Sequence, residues 1–117
     1  MYDWNEYFNL GNILIEKGTE AEQRTAISRL YYALYHLSQN YAKSHGHKPP
    51  SHSQHDALIT WYKSTRNSQA SAFGAKLEVL KGMRVQADYH DSYLPINTPK
   101  ACKILAGRLH KELKKLP

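Results

Sequence analysis

Arg29 and His36 are the two side chains whose types and spacing are best suited to chemistry, and both lie in the segment SRLYYALYH at residues 28–36. An interval of seven residues is nearly two turns of an α-helix, so the two side chains point within roughly 20° of each other. A permanent cation and an imidazole that titrates near neutrality therefore share one stripe. Cleavage of RNA without a metal needs such groups, a proton shuttle and a fixed positive charge that faces the phosphoryl oxygens. The alternative is a structural pair that forms hydrogen bonds across a helix–helix contact.

The helix that must position this pair is predicted to run from about Glu20 to Ser44. Thr19 is suited to cap its first turn, and Glu22 stands at the third helical position, which is the capping-box arrangement. The glycine and prolines between residues 45 and 50 end the helix. One side carries the apolar stripe that is expected to face the core: Ile27, Leu30, Leu34, Leu37 and Tyr41.

Arg29 and His36 lie roughly 130° from the middle of that stripe. The residues around them on the helical wheel are small or can form hydrogen bonds: Thr25, Ala26, Tyr32, Ala33 and Asn40. Small residues allow another helix to approach closely. This face is therefore predicted to be a second contact surface, and self-association is its simplest interpretation.

The rest of the chain also has helical periodicity, and no stretch alternates as a strand does. Four further helices are predicted, at about residues 3–17, 51–67, 69–89 and 98–116. Ser51 is the expected cap of the third helix, and Thr98 caps the last one with Pro99 at its first position, after a loop at residues 94–97. Helices of this length joined by short loops predict an all-α fold, a four- to five-helix up-and-down antiparallel bundle forming a single domain over residues 1–117.

The segment at residues 28–36 resembles the Ser-Arg-x-Tyr-Tyr-Ala-x-x-His helix of the HEPN domain family (higher eukaryotes and prokaryotes nucleotide-binding). A second match, RVQADY at residues 84–89, is similar to the Arg-x-x-Ala-Asp-Tyr signature of that family, and Ser51-His52 is a weaker third match. Together these matches span about residues 20–95. Leu30 follows the arginine where catalytic relatives often carry a polar residue, because the core stripe needs it.

The resemblance implies a helical bundle that usually forms a homodimer, in which two Arg29 and His36 pairs meet in one composite site. It implies metal-independent RNA cleavage in which a ribose 2′-OH attacks the adjacent phosphate and leaves 2′,3′-cyclic phosphate ends, so no cofactor is expected. His36 would act as general base or acid, and Arg29 would stabilise charge on the phosphoryl oxygens. Such proteins are often toxins or defence effectors encoded beside a nucleotidyltransferase that restrains them, which makes an antitoxin of that type or a defence-complex protein the expected partner.

Five residues are candidates to support the pair: Ser28, Tyr32, Asn40, Arg84 and Asp88. Arg84 and Asp88 are four residues apart on one helix, so a structural salt bridge is expected, and the alternative is that Asp88 orients Arg29 or another site residue. Tyr32 is interpreted either as a group that positions RNA or as a side chain that packs at an interface.

The net charge of +6 is unevenly distributed. Residues 1–22 carry five acidic residues and one lysine, a net of −4, whereas the remainder carries fifteen basic and five acidic residues, a net of +10. A basic body attracts polyanions at long range. At its end, Lys111, Lys114 and Lys115 are predicted to contact the RNA backbone, although lysines in the last turn of a helix also complement its dipole.

Four histidines crowd into eleven residues around the prolines: His45, His47, His52 and His55. Imidazoles bind zinc, copper or nickel. His52 and His55 lie on the same helical face if the third helix starts before them. No cysteine or carboxylate cluster completes a ligand set, so a solvated loop is the favoured interpretation and no metal site is expected.

The single cysteine, Cys102, is predicted to be a core residue, and it rules out an internal disulfide. One cysteine fits a reducing cytoplasm. No apolar run approaches the roughly 20 residues of a membrane span, and the acidic, aromatic N-terminus is unlike a signal peptide. The sequence therefore predicts a cytoplasmic protein with no membrane partner.

Three functions are open from the sequence. The leading one is a HEPN-type RNA endonuclease that acts as a homodimer, as a toxin or as an antiviral or CRISPR-associated defence effector. The second is a non-catalytic binding or assembly subunit that docks a nucleotidyltransferase or another defence-system partner through the same face. The third is a small nucleotide-binding accessory domain whose basic surface holds a phosphate ligand.

Overall fold

The computed structural model describes residues 1–117 and consists of helices and loops, with no strand. This confirms the predicted all-α helical bundle. The long second helix is central, because the first, third, fourth and fifth helices all pack against it. The five elements are α1 (Asn5–Leu14), α2 (Glu20–Ser44), α3 (Gln54–Lys63), α4 (Ser68–Tyr89) and α5 (Thr98–Lys115).

Helix α2 has the predicted bounds because its N-terminus is capped as the sequence indicates. The Thr19 hydroxyl accepts a hydrogen bond from the backbone N–H of Glu22 at 3.2 Å and donates one to the Glu22 carboxylate at 2.7 Å. The apolar stripe faces the core as predicted, with its first three members fully buried and Leu37 and Tyr41 half-buried at its end. The side chain of Cys102 on α5 is also fully buried, as predicted, and burial raises the pKa of its thiol to about 12.

The bounds of helices α1, α3 and α5 differ from the prediction. Helix α3 begins at Gln54 rather than after Ser51, because Ser53 adopts a left-handed conformation with φ of 55°. It ends at Lys63, since the hydroxyls of Ser64 and Thr65 donate to carbonyls of the last turn at 2.6 and 3.0 Å. Helices α1 and α5 differ by smaller amounts: α1 is shorter than 3–17 at both ends, and Thr98 is the first residue of α5 instead of its N-cap.

Helix α1 packs antiparallel against the face of α2 that carries the small residues. Gly11 makes this approach possible, because a Cβ at that position would lie 2.7 Å from Leu30 Cγ and 3.3 Å from the carbonyl oxygen of Ala26. The face is a contact surface, as predicted, but around Ala26 the element packed on it is α1 of the same chain, which corrects the interpretation of that part as a self-association surface. No helix in the structure is long and apolar enough to cross a membrane.

Arg24 joins the start of α2 to the end of α4, a contact that the sequence does not predict. Its guanidinium donates to the carbonyl oxygens of Ala87 and His90 at 2.9 Å each and to that of Ser92 at 2.6 Å. The same side chain pairs with the Glu20 carboxylate at 3.1 Å. These bonds satisfy carbonyls that the C-terminus of α4 leaves without helical partners, and they fix α4 against the helix that carries Arg29 and His36.

Candidate active site

The guanidinium of Arg29 has no hydrogen-bond or ion-pair partner within the chain, although the side chain is half-buried. Its Cζ lies 4.9 Å above the ring of Tyr7 on α1, which is a cation–π contact that leaves the N–H groups free. Leu30, the next residue, is fully buried and directs Arg29 away from the core. None of its N–H donors is buried away from solvent without a partner, so they are available to an anion.

The imidazole of His36 is held by ring contacts rather than by hydrogen bonds. It stacks on the indole of Trp4, with ring centroids 3.6 Å apart and planes 8° apart, and the edge of Tyr35 lies 5.0 Å away. Neither ring nitrogen is a buried atom without a partner, so both remain accessible. Burial lowers the pKa of His36 below its usual value, and the ammonium of Lys43 lowers it further.

The structural alternative for this pair predicted hydrogen bonds across a helix–helix contact, and neither residue makes one. What α1 supplies instead is a pair of aromatic rings, Trp4 and Tyr7, whose centroids lie 5.0 Å apart. Each ring covers one member of the pair, and the polar atoms of both members stay free. Arg29 and His36 are two turns apart on α2, about 10 Å along the helix axis, so an extended substrate could contact both.

The supporting residues, except Asn40, form one connected network beside the pair. Arg84 Nη2 donates to the Tyr32 hydroxyl at 2.5 Å, and Arg84 Nε donates to Asp88 at 3.0 Å, which confirms the predicted salt bridge. Ser28 donates to the same carboxylate oxygen at 3.3 Å. Asp88 therefore orients Arg84 and not Arg29. Asn40 is exposed and contacts only the sulfur of Met1, at 3.9 Å.

His55 belongs to this site, which corrects its interpretation as part of a solvated loop. It lies in the first turn of α3, half-buried, with its ring stacked on Tyr35 at 3.9 Å and its Nδ1 2.7 Å from the Tyr31 hydroxyl. Burial lowers the pKa of His55, and Arg84, Lys81 and His36 lower it further, in that order. The predicted third helix already contained His55, but no sequence signal shows that its ring packs on Tyr35 and Tyr31 of α2.

The other three histidines of that segment stay apart from the site. His45 lies 2.9 Å from the carbonyl oxygen of Tyr41, His47 packs against Trp61, and His52 is exposed outside α3, so His52 and His55 do not share a helical face. No group of three or more histidine, cysteine or acidic side chains is arranged as a metal site.

Lys111, Lys114 and Lys115 lie exposed on α5 and contact none of the site residues. No acidic side chain pairs with them, since the ion pairs of α5 involve Lys103 and Glu112 instead. Lys111 lines a surface groove of about 410 Å³ together with Arg108 and Lys103. These lysines therefore form a free basic surface on a different helix from the candidate pair.

Removing the indole over His36 should raise the pKa of that histidine. In Trp4→Ala water reaches the imidazole, so the desolvation that disfavours its charged form is reduced and the pKa moves up towards about 6.5. An NMR titration of the imidazole protons measures the change. Phe8→Ala is the matched control, since Phe8 stacks on His110 at 4.1 Å, so it should change the pKa of His110 and leave that of His36 in place. An unchanged His36 pKa in Trp4→Ala would contradict the described stacking.

Comparison of the chain with known proteins identifies no relative. No family model, no curated protein and no solved structure matches the chain. What the site can do therefore follows from its own side chains. These are an unpaired guanidinium and two half-buried imidazoles, held in a cluster of aromatic rings with a second arginine beside them.

Proposed function

We propose that the chain is a metal-independent RNA endonuclease of the HEPN type, with Arg29 and His36 as its catalytic residues. One observation carries the proposal: these two side chains share a face of α2, both are half-buried, and the chain uses the polar atoms of neither. Holding a cation and an imidazole without protein partners leaves hydrogen-bonding capacity that a ligand can satisfy. A phosphodiester beside a ribose hydroxyl needs both groups at once.

The chemistry follows from the properties of the two groups. His36 exchanges a proton with the reacting oxygens; as the base, its neutral imidazole removes the proton of a ribose 2′-OH, which then attacks the adjacent phosphorus. A lowered pKa keeps that imidazole neutral at pH 7, which suits this role. Arg29 donates from its planar fork to the non-bridging oxygens, where negative charge increases in the transition state. Cleavage then leaves a 2′,3′-cyclic phosphate and a 5′-hydroxyl, and no step requires a metal.

Charge and aromatic rings around the pair favour a nucleic-acid substrate. The net charge of +6 attracts a polyanion, and the unpaired lysines of α5 supply further phosphate contacts away from the site. Trp4 and Tyr7 lie where the bases that flank a bound phosphate could stack. RNA is favoured over DNA because the proposed nucleophile is the 2′-hydroxyl.

The proposal extends to a homodimer, in which two copies of the pair act on RNA at a composite site. Leu10 and Ile13 on α1 are 44% and 60% exposed, and they continue the helix that carries Trp4 and Tyr7. These side chains offer apolar surface for a second copy on the helix that covers the pair. A role as a toxin or defence effector, restrained by a nucleotidyltransferase-type partner, belongs to the same proposal and has its support in the resemblance alone.

Incubation of the purified chain with total RNA in the presence of EDTA tests this function. Wild type should degrade the RNA, because neither proposed catalytic group is a metal ligand. Light scattering on the same sample should give the mass of a dimer. A folded wild type that leaves RNA intact would contradict the nuclease and favour the alternative, a non-catalytic subunit that docks a protein partner.

A further inference from the structure

Two imidazoles of the chain, not one, border the same group of tyrosines. The ring of Tyr35 lies 5.0 Å from His36 and 3.9 Å from His55, so the two imidazole centroids are within about 9 Å of each other, the sum of those distances. The ring of Tyr32 is also near both, 6.4 Å from His36 and 5.8 Å from His55. The site therefore contains a second imidazole on α3, in a helix that carries no other part of the site.

The hydrogen bond to Tyr31 determines which nitrogen of His55 faces outwards. Tyr31 is fully buried, and burial raises the pKa of its phenol, so the hydroxyl keeps its proton. Nδ1 of His55 is the one hydrogen-bond partner of that hydroxyl, so the O–H donates to Nδ1 in neutral His55. The proton of the neutral ring then lies on Nε2, which makes no hydrogen bond and is not buried from solvent. Nε2 is therefore the nitrogen of His55 that can face a ligand, whereas both nitrogens of His36 are free.

Cleavage by a 2′-hydroxyl needs two proton transfers at opposite ends of one phosphorus. The attacking and leaving oxygens lie in line, about 3.5 Å apart, and each accepts or donates a hydrogen bond of about 2.8 Å, so the two proton-transfer nitrogens must lie about 6–9 Å apart. The upper limit of about 9 Å on the separation of the His36 and His55 ring centroids allows this arrangement. Arg84, held by Asp88 and the Tyr32 hydroxyl, adds a second fixed cation beside them.

We propose that His55 is the second catalytic residue of this site and donates the proton to the leaving 5′-oxygen. The proposal rests on the proposed ribonuclease function and assigns the second histidine to the same chain instead of to a second copy. In the reaction the bond from O2′ to phosphorus forms and the bond from phosphorus to O5′ breaks. The 2′-hydroxyl proton passes to His36. His55 takes up a proton from solvent before the reaction, and its Nε2 proton then passes to O5′ while Nδ1–H donates to the Tyr31 oxygen. The lowered pKa of His55 makes this imidazolium the minor form near pH 7 but a stronger proton donor.

A change of leaving group separates this role from a structural one. Two substrates are compared: a dinucleotide that wild type cleaves, and the 3′-(4-nitrophenyl phosphate) ester of its first nucleoside. The 5′-oxygen of the dinucleotide must be protonated as it leaves, whereas the nitrophenolate of the ester leaves without a proton. His55→Ala should cleave the dinucleotide about 100-fold more slowly or worse, yet cleave the nitrophenyl ester within about threefold of wild type. His36→Ala should lose activity on both substrates, because both need the 2′-hydroxyl proton removed. His52→Ala is the matched control, an exposed histidine three residues earlier, and should retain both activities.

Each other outcome overturns the assignment. An equal loss on both substrates in folded His55→Ala would mean that His55 only supports the structure, and His55→Gln, which fills the same space on Tyr35, should then restore both activities. Unchanged cleavage of the dinucleotide by His55→Ala would place the acid elsewhere, for example on His36 of a second copy, and leave the ribonuclease function standing. Failure of wild type to cleave either substrate would overturn the ribonuclease function and this assignment together.

Discussion

Replacing His36 with alanine should lower the rate of RNA cleavage by about 10²- to 10⁴-fold, the usual contribution of a positioned acid or base. The reason is that His36 is the one imidazole on the same helical face as Arg29, and both its nitrogens are accessible. Arg29→Ala should lower the rate by about 10²- to 10³-fold, as expected when a donor to developing charge is removed. Arg29→Lys should recover only part of that loss, since an ammonium keeps the charge without the two-point contact.

The matched controls are an exposed residue of each type. Arg66→Ala and His52→Ala remove the same types of side chain from positions outside the site, so both should cleave RNA at the wild-type rate. Circular dichroism and urea unfolding should show that all four alanine variants are folded. If folded His36→Ala and Arg29→Ala cleave as fast as these controls, the pair is packing and the proposed active site is wrong.

Replacing Arg24 with alanine should lower the free energy of unfolding by about 2–4 kcal/mol. The side chain is 22% exposed and donates to three carbonyls at the end of α4 and in the following loop, each at 2.9 Å or less. Hydrogen bonds from a charged donor contribute about 1.5–3 kcal/mol each, and the truncation also removes a cation from a helix C-terminus. Because these bonds do not add up independently, the expected loss is smaller than three such contributions.

Urea denaturation monitored by circular dichroism measures this effect. Arg24→Lys should recover a minority of the loss, because one ammonium cannot reach carbonyls on both sides of the turn. Arg108→Ala, at an exposed position without an ion pair, should change stability by less than about 0.5 kcal/mol. A loss below 1 kcal/mol in Arg24→Ala would show that the end of α4 does not depend on this contact.

The elements governed by local rules were predictable from the sequence. Helix α2 has its predicted bounds because Thr19 and Glu22, which cap it, are three residues apart and form a pattern that can be recognised in the sequence. Its apolar stripe follows from the period of 3.6 residues, which fixes the direction of Arg29 and His36 relative to the core. The salt bridge between Arg84 and Asp88 is local in the same sense.

The sequence could not show which side chains of different helices contact each other. Periodicity gives each helix a core face, but it does not say which helix covers a second face, so Trp4 and Tyr7 could not be matched to His36 and Arg29. His55 was missed because the tyrosines that it contacts lie on α2, with Tyr31 24 residues away in the chain. Arg24 was missed because its partners are more than 60 residues away in the chain.

The most direct test of the central claim is the fate of an RNA oligonucleotide carrying a single 2′-deoxyribose at a position that wild type cleaves. In EDTA, wild type should cut the all-ribose oligonucleotide and leave a 2′,3′-cyclic phosphate and a 5′-hydroxyl, identified by mass spectrometry. The oligonucleotide with the 2′-deoxyribose should stay intact at that position, because the attacking hydroxyl is missing. Cleavage at the 2′-deoxyribose, or products ending in 5′-phosphate, would contradict the mechanism assigned to Arg29 and His36.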